Sequence, residues 1–213
     1  MKLLVTGCSG FIGSHLCEKL LQSNNEVIGI DNNNNYYSID QKNKNLNILK
    51  NYKNFIFLKE DILETKAIIN YKPDKIIHLA AMAGVRYSIE NPELYCKNNI
   101  EGMINLLEQN KELKIPFIYA SSSSVYGNNP EIPFKESQEL KNIVSPYAAS
   151  KYSCEIYAQL YNNLYQIPTI GLRFFTVYGP RGRPDMAPYK FLKSIYNQTE
   201  FIKYGNGLTF RDY

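Results

Sequence analysis

The chain has 213 residues, 44% of them hydrophobic, and a formal net charge of +4. This length and composition are enough to bury one substantial core, and they exclude a disordered or fibrous protein. The positive charge is small and dispersed, with no basic run interleaved with aromatic residues, so no nucleic-acid partner is expected.

The cysteines and the apolar segments indicate the compartment. Cys8, Cys17, Cys96 and Cys154 lie at unrelated spacings without a C-x-x-C pair or a histidine cluster, which predicts reduced thiols and no metal site. The N-terminus lacks a charged leader followed by an apolar stretch, and no segment approaches ~18 consecutive apolar residues. We therefore expect a cytoplasmic protein that does not span a membrane.

The N-terminal segment predicts a strand, a glycine turn and a helix. The apolar run Lys2–Thr6 is too short for a helix and stops at a segment with glycines at three-residue spacing, Gly7-Cys8-Ser9-Gly10-Phe11-Ile12-Gly13. In such a pattern Gly7 permits a tight turn, Gly10 lets the backbone approach a pyrophosphate, and Gly13 lets the helix over residues 11–21 pack closely. The N-terminus of that helix would face the phosphates of a dinucleotide.

The second predicted strand, Glu26–Ile30, ends at an acidic residue. Asp31 lies at about the spacing expected for the carboxylate that binds the adenosine ribose hydroxyls. It would repel a 2′-phosphate, and the asparagines at positions 32–35 supply no cation for one, so NAD is favoured over NADP. The alternative interpretation is a strand-end aspartate that begins a turn.

Strand-like and helix-like segments alternate along the rest of the chain. Further strands are predicted over residues 55–58, 75–79, 117–119 and 169–172, and helices within residues 32–53 and over 63–71, 92–110 and 146–165. This alternation predicts an α/β fold with a doubly wound parallel sheet of the Rossmann type and helices on both faces. Ligands are expected beyond the carboxyl ends of the strands, which are followed by Gly7, Asp31, Asp61, Ala80, Ser122 and Phe175.

A tyrosine and a lysine lie four residues apart in Ser145-Pro146-Tyr147-Ala148-Ala149-Ser150-Lys151. The proline opens a helical stretch, so Tyr147 and Lys151 should project from one helix face. A free phenol loses its proton near pH ~10, and a neighbouring ammonium favours the phenolate, which suits proton removal from an alcohol. The same spacing also occurs on ordinary amphipathic helices, so the pair gains weight only from the rest of the chain.

Taken together, the motifs resemble the extended short-chain dehydrogenase/reductases, and more narrowly the nucleotide-sugar epimerases. The residues that carry this resemblance are the glycine triplet, Asp31, Asp61, the run from His78 to Ala81, Asn99, the run from Ser121 to Gly127, Tyr147 and Lys151. Segments 83–88, 173–180 and 182–186 are similar to the UDP-glucuronate 4-epimerases in particular. Two positions depart from the family pattern: Arg181 stands where tryptophan is usual, and Ser9 where alanine is common.

The resemblance implies an NAD-dependent 4-epimerisation of a UDP-sugar, from UDP-glucuronate to UDP-galacturonate. Tyr147 would take the proton from the 4-hydroxyl while the C4 hydride passes to NAD, and the 4-keto sugar would turn and recover the hydride on its other face. Lys151 would hold the nicotinamide ribose. The implied NAD contacts are Gly7, Gly10, Phe11, Ile12, Gly13, Asp31, Asn32, Asp61, Ile62, Leu79, Ala80, Ala81, Asn99, Tyr147, Lys151 and Phe175.

The resemblance also implies a set of substrate contacts. Ser122, with Ser124 as the second candidate, would hydrogen-bond the 4-oxygen, and Thr176 would contact the sugar. Sister dehydratases and decarboxylases place an acidic side chain near residues 123–124, where this chain has only hydroxyls, so simple epimerisation remains. A serine-rich loop is also compatible with a plain turn, and Phe175 beside the nicotinamide is also compatible with a core aromatic.

Two arginines are candidates for the anionic groups of the substrate. A guanidinium binds a carboxylate or phosphate through paired hydrogen bonds, and both Arg86 and Arg183 fit this role or that of a surface arginine. Arg183 is favoured because it lies in a Gly- and Pro-rich loop.

The resemblance implies a domain division and leaves alternatives open. Residues 1–180 would form the NAD-binding domain, and residues 181–213 the incomplete beginning of a nucleotide-sugar-binding domain, in which residues 205–213 lead into a further strand. The chain is therefore expected to be truncated. Relatives pair as homodimers through the helices that begin near Pro92 and Pro146. The alternatives are a UDP-glucose/galactose 4-epimerase, another nucleotide-sugar oxidoreductase such as an NADH-consuming reductase, and an NAD-binding module without turnover.

Overall fold

Six short apolar segments form one parallel sheet. The computed structural model describes residues 1–201 and residue 206, so the further strand expected after residue 205 lies outside the described residues. The strands are β1 (Lys2–Thr6), β2 (Glu26–Ile30), β3 (Phe55–Leu58), β4 (Lys75–His78), β5 (Phe117–Ser122) and β6 (Thr169–Phe174), in the spatial order β3-β2-β1-β4-β5-β6. The order reverses between β1 and β4, and a crevice for ligands forms beyond the carboxyl ends at such a point.

Helices cover the sheet because successive side chains of a strand point to opposite faces. The helices are α1 (Phe11–Gln22), α2 (Ile39–Lys50), α3 (Ala67–Tyr71), α4 (Val85–Glu90), α5 (Pro92–Tyr95), α6 (Gly102–Asn110), α7 (Pro146–Tyr165) and α8 (Ala187–Tyr196). On β1, Leu4 packs with residues of α6 and α7, whereas Val5 packs with Cys17 of α1 and Leu49 of α2. The predicted doubly wound α/β sheet with helices on both faces is confirmed.

Several predicted boundaries were wrong for local reasons. β5 and β6 run further than predicted because their pairing continues to Ser122 opposite Phe174, so Ser122 is the last residue of its strand. The helix predicted over residues 63–71 begins only at Ala67, because Asp61 first closes a turn by accepting from the Leu63 N–H.

The helix predicted over residues 92–110 is continuous, but its hydrogen-bonding pattern changes along its length. α5 passes into a π-helical segment, Cys96–Glu101, before α6 begins. Such segments interrupt the apolar period on which the prediction rested, so they leave no simple sequence signal. The short helix α4, a 3₁₀ turn over Ser123–Tyr126 and α8 were not predicted.

One part of the sheet face stays open to solvent within residues 1–201. On β6, Ile170 and Leu172 are 57% and 40% exposed, although they lie on the same face that α1 and α2 cover further along the sheet. Helix α8 buries none of its side chains. None of the helices in the described part of the chain is long and apolar enough to cross a bilayer.

Candidate functional site

The glycine turn between β1 and α1 leaves no room for side chains. Gly7 has φ +74°, and a Cβ there would lie 2.8 Å from the Ala80 nitrogen at the end of β4. A Cβ at Gly13 would lie 2.0 Å from the Gly7 oxygen, and one at Gly10 would lie 3.2 Å from it. The N-terminus of α1 has no side-chain cap, so no capping side chain would compete with a phosphate group for its first N–H groups.

The carboxylate of Asp31 joins the glycine turn to the loop that follows β2. Asp31 accepts hydrogen bonds from the backbone N–H of Ser9 at 3.1 Å and of Asn33 at 2.9 Å. The Ser9 hydroxyl donates to the Asn33 side-chain oxygen at 2.7 Å, a bond that the alanine common at this position cannot make. Asp31 therefore lies beside the glycine turn, and its contact with a ribose stays a prediction.

A buried lysine near Asp31 was not expected from the sequence. Lys42 is 5% exposed, and its Nζ donates to the backbone and side-chain oxygens of Asn34 at 2.8 and 2.9 Å. Burial lowers the pKa of Lys42, and the charge of Asp31 opposes that shift. The asparagines at positions 32–35 supply no cation beside Asp31, but Lys42 of α2 does. A single lysine in a helix rich in lysine and asparagine has no sequence feature that marks it as buried.

The outer end of the crevice is formed by the ends of β2 and β3. The Asn32 side chain donates to Asp61 Oδ2 at 2.8 Å, so the structure brings these two predicted cofactor residues together. Ile62 is buried in the core, where a Cβ on Gly102 of α6 would meet its Cδ1 at 2.5 Å. The Ile62 side chain thus holds α6 in place, and its contact with adenine stays a prediction.

Asn99 ties the segment after β4 to α7. Its side-chain oxygen accepts from the Met82 N–H at 2.7 Å, and its amide group donates to the Met82 oxygen and the Ser150 hydroxyl at 3.0 and 2.9 Å. Both amide hydrogens of Asn99 are used by these bonds, so the buried residue sets the distance between the crevice wall and α7. The neighbouring Leu79, Ala80 and Ala81 are partly buried along that wall.

Tyr147 and Lys151 lie on the first turns of α7, as predicted. The Ser145 hydroxyl caps the helix by accepting from the Ala148 N–H at 3.1 Å, and Pro146 occupies the first turn. Lys151 is 4% exposed, and its Nζ donates to the Ala120 oxygen on β5 at 2.8 Å. The half-buried ring of Tyr147 lies edge-on to Tyr95, 6.1 Å between centroids. The Lys151 amine therefore lies against β5, and the Tyr147 ring lies beside Tyr95.

The hydroxyls of the serine cluster, residues 121–124, make two kinds of contact. Ser121 donates to Glu155 Oε1 on α7 at 2.5 Å, and Glu155 also pairs with Arg173, whose Nε and Nη2 lie 2.9 and 2.8 Å from its oxygens. Ser122 accepts from the Ser124 N–H at 3.1 Å and begins the 3₁₀ turn, while it keeps its own hydroxyl proton as a donor. The hydrogen bond from the Ser124 backbone N–H to the Ser122 hydroxyl thus holds these two residues side by side.

The structure separates the two candidate arginines. Arg183 donates from Nε and Nη2 to Asp185 at 3.1 and 2.5 Å, and its guanidinium lies 5.6 Å from the Tyr36 ring centroid. Burial lowers the pKa of Arg183. The hydrogen bonds and the charge of Asp185, together with the phenols of Tyr36 and Tyr147, raise it by more, so the pKa lies above its usual value. Arg86 is exposed on α4. Arg183 therefore lies close enough to Tyr147 for the two groups to interact electrostatically.

The remaining substrate-side residues follow β6. Thr176 is half-buried, and Phe175 is 43% exposed, with its ring 6.4 Å from Tyr126 and 6.3 Å from Phe134. In the described part of the chain no group of three His, Cys, Asp or Glu side chains is arranged to hold a metal ion, and the four cysteines are free.

His78 should make the protein less stable in acid. Thr6 Oγ1 accepts from the Leu79 and Ala80 N–H groups, so its proton points to His78 Nδ1 at 2.8 Å, which assigns a neutral Nε2–H imidazole. Burial, and then the charge of Lys151, lower the pKa of His78 to about 3. The unfolded chain, with a pKa of about 6.5, takes up the proton first, so this stability is complete above about pH 6.5 and is lost toward pH 3.

Urea unfolding from about pH 7 to about pH 4 tests this assignment. We expect the stability difference between wild type and His78→Asn to shrink as the pH falls, by up to about 1.4 kcal/mol per pH unit. Parallel pH profiles of the two proteins would contradict the assignment.

With this geometry established, the chain can be compared with known proteins. Residues 4–213 match the family described as GDP-mannose 4,6 dehydratase. The chain is 47% identical over 218 residues to Protein CapI of Staphylococcus aureus, covering 100% of this chain and 65% of that protein. It is 42% identical over 216 residues to a UDP-glucuronate 4-epimerase of Thermodesulfobacterium geofontis, covering 99% and 66%. The chain thus spans about two thirds of the length of these relatives.

A solved structure has the same fold. The UDP-glucuronic acid 4-epimerase from Bacillus cereus, determined in complex with UDP-glucuronic acid and NAD, superposes with a TM-score of 0.92 at 40% identity, covering 97% of this chain and 67% of that one. The resemblance that the motifs indicated is confirmed. The chain belongs to the GDP-mannose 4,6-dehydratase family of extended short-chain dehydrogenase/reductases.

Proposed function

We propose that the protein is an NAD-dependent 4-epimerase that converts UDP-glucuronate to UDP-galacturonate. The observation that carries this proposal is the buried Lys151 amine, bound to the Ala120 oxygen one helical turn from Tyr147. This arrangement supports a site in which a phenol and a cation lie on one helix near the carboxyl end of β5, the edge at which parallel sheets bind ligands. The relative from Thermodesulfobacterium geofontis and the protein of the Bacillus cereus structure are UDP-glucuronate 4-epimerases.

The residues present fit NAD. The cradle at Gly7 and Gly13, which any Cβ would fill, together with the N-terminus of α1, would hold the pyrophosphate, and Asp31 the adenosine ribose. Leu79, Ala80 and Phe175 would flank the nicotinamide end. NAD, when bound, would accept the C4 hydride of the sugar and return it to the opposite face.

The chain itself supplies the proton chemistry. The Tyr147 phenolic oxygen would remove the proton of the sugar 4-hydroxyl and later return it to the same oxygen. The Lys151 ammonium stabilises negative charge nearby and is itself fixed by Ala120. Ser122, aided by Ser124, would hold the 4-oxygen within reach of Tyr147. These residues move one proton and leave the rest of the sugar unchanged.

The charges around the serine cluster favour epimerisation over dehydration. A dehydratase or decarboxylase needs an acidic side chain near residues 123–124 to move a further proton. Glu155 is the carboxylate that the structure ties to this cluster through Ser121, and Arg173 neutralises it with two hydrogen bonds. Both oxygens of Glu155 are thus occupied by partners within the protein.

Arg183 supports an anionic sugar. Within the described residues, Asp185 accepts from two of the five N–H donors of the guanidinium, and the other donors could bind a carboxylate or phosphate oxygen. Thr176 would contact the sugar beside it.

We further propose that residues 1–180 form the NAD-binding domain and residues 181–213 the beginning of the nucleotide-sugar domain. The free, mostly buried thiols support a cytoplasmic location.

Replacing Tyr147 by phenylalanine tests the proposed base. Since general acid–base catalysis contributes about 10²–10⁴-fold, we expect kcat for UDP-glucuronate to fall by that factor while the Kd of NAD is unchanged. The matched control is Tyr165→Phe at the other end of α7, which should keep wild-type kcat. Retained activity in Tyr147→Phe would remove the phenol from the mechanism.

The Asp31–Lys42 pair should determine the choice between NAD and NADP. We expect Asp31→Ala to lower the ratio of the NADP to the NAD dissociation constant about tenfold or more, because the repulsive carboxylate is lost while the Lys42 cation remains. Calorimetric titration with both dinucleotides gives this ratio.

The double variant Asp31→Ala, Lys42→Met serves as the control for this experiment. It lacks the cation and should lose most of the gain in NADP affinity. An unchanged ratio in Asp31→Ala would show that the ribose lies elsewhere.

We also propose that the protein forms a homodimer through α7. Ile156, Leu160 and Leu164 repeat every four residues along this helix and are 51%, 42% and 61% exposed, which makes an apolar stripe on its outer face. Light scattering should give a dimer mass for wild type and a monomer mass for Leu160→Glu. Ile132→Glu, at a 79% exposed loop residue, should remain dimeric. A monomeric wild type would refute this proposal.

A further inference from the structure

Polar contacts from three side chains attach the loop over residues 179–183 to α1 and α2. His15 Nε2 on α1 donates to the Pro180 oxygen at 2.9 Å. Arg181, the residue that replaces the usual tryptophan, donates from Nη2 to Glu18 on α1 at 2.5 Å. Gln41 on α2 donates from Nε2 to the oxygens of Arg181 and Gly182 at 2.8 and 3.0 Å.

The Gln41 tie is made next to Arg183. Gly182 is buried, its N–H donates to the Gly179 oxygen at 3.0 Å, and a Cβ on it would lie 2.8 Å from that oxygen. The tight turn and the Gln41 amide together fix the two peptide groups that precede Arg183. They therefore fix the direction in which its side chain leaves the loop.

The Arg183 side chain ends on a second set of contacts at the wall of the crevice. Its guanidinium lies over Tyr36, whose hydroxyl donates to the Ala83 oxygen at 2.6 Å. Gly84 has φ +103°, and a Cβ on it would lie 2.7 Å from the Tyr36 hydroxyl, so a glycine at this position lets Tyr36 lie against the wall beneath the guanidinium. The Tyr95 hydroxyl donates to the same wall, and its ring contacts Tyr147.

From this geometry we propose that Gln41 is a positioning residue for the oxyanion site of Arg183. It acts through the carbonyl groups of Arg181 and Gly182, and it sets where the free N–H groups of Arg183 present themselves to a carboxylate or phosphate of the nucleotide sugar. This inference rests on the proposed function for the identity of the ligand. The position of Arg183 itself does not depend on that function.

The chemistry of the side chain limits what can replace it. One amide nitrogen of Gln41 serves two carbonyl oxygens, so the tie needs a donor at this site. Glutamate has the same shape but presents oxygens that repel both carbonyls, and alanine leaves them without this donor. Gln41→Glu and Gln41→Ala should therefore have similar effects, despite their different sizes.

Binding measurements with each ligand separate positioning from general stability. We expect both variants to weaken UDP-glucuronate binding about tenfold, while the Kd of NAD stays at the wild-type value. Gln22→Ala is the matched control, since Gln22 is an exposed glutamine on the neighbouring α1, and it should change neither. Unchanged UDP-glucuronate binding in both Gln41 variants, or an equal loss of NAD affinity, would overturn the proposal.

A double-mutant cycle tests whether Gln41 acts through Arg183. In the Arg183→Ala background, Gln41→Ala should cause no further loss of UDP-glucuronate affinity, because the group that it positions is absent. Additive losses would overturn the proposal. Repeating the titrations with UDP-glucose distinguishes the two oxyanions: a smaller loss identifies the sugar carboxylate, and an equal loss the diphosphate, as the partner of Arg183.

A crystal structure of Gln41→Ala gives a result that does not depend on the substrate. We expect the Arg183 guanidinium to leave the Tyr36 ring, with the fold of residues 1–178 unchanged. Arg183 still stacked on Tyr36 would overturn the positioning role, even if the protein is an epimerase. If the guanidinium moves but wild type binds no UDP-sugar, then the proposed function fails and the positioning role stands.

Discussion

The hydrogen bond from the Lys151 amine to the Ala120 oxygen is the contact on which the site depends. Lys151 is almost fully buried, and an amine in such a place must be paired to be tolerated. The bond joins α7 to the end of β5, and a capped helix start places Tyr147 one turn earlier. Burial and the charge of Lys151 lower the pKa of the neighbouring His78 and keep it neutral, and its Nδ1 is hydrogen-bonded to Thr6.

Two segments that are distant in sequence enclose the crevice beyond this contact. The loop after β2 contains Asp31 and Tyr36, and it is tied to the glycine turn through Ser9 and to Lys42 of α2 through Asn34. The loop over residues 179–183 comes from the other end of the chain and is fastened to α1 and α2. The proposed cofactor site and the proposed oxyanion site therefore share one framework, in which α2 contributes to both.

Local patterns made much of the fold and part of the site predictable from sequence. Glycine spacing, apolar runs of strand length and the Ser145-Pro146 cap each describe contacts between near neighbours, and the structure confirms the elements that they predicted. The π-helical segment and α4 lack such local signals. The partners of Lys42, Gln41 and Glu155 are fixed only when distant segments meet, so a single sequence does not reveal them. The open face at Ile170 and Leu172 likewise depends on the whole sheet.

The most direct measurement of the central claim follows the sugar and the cofactor in one sample. Incubating the protein with UDP-glucuronate and NAD, with proton NMR of the sugar and absorbance of the nicotinamide recorded together, separates isomerisation from net oxidation. The proposed role of Tyr147 and Lys151 predicts that UDP-galacturonate appears while no reduced cofactor accumulates. Reduced cofactor building up in step with an oxidised sugar, or loss of water or carbon dioxide from the sugar, would contradict it.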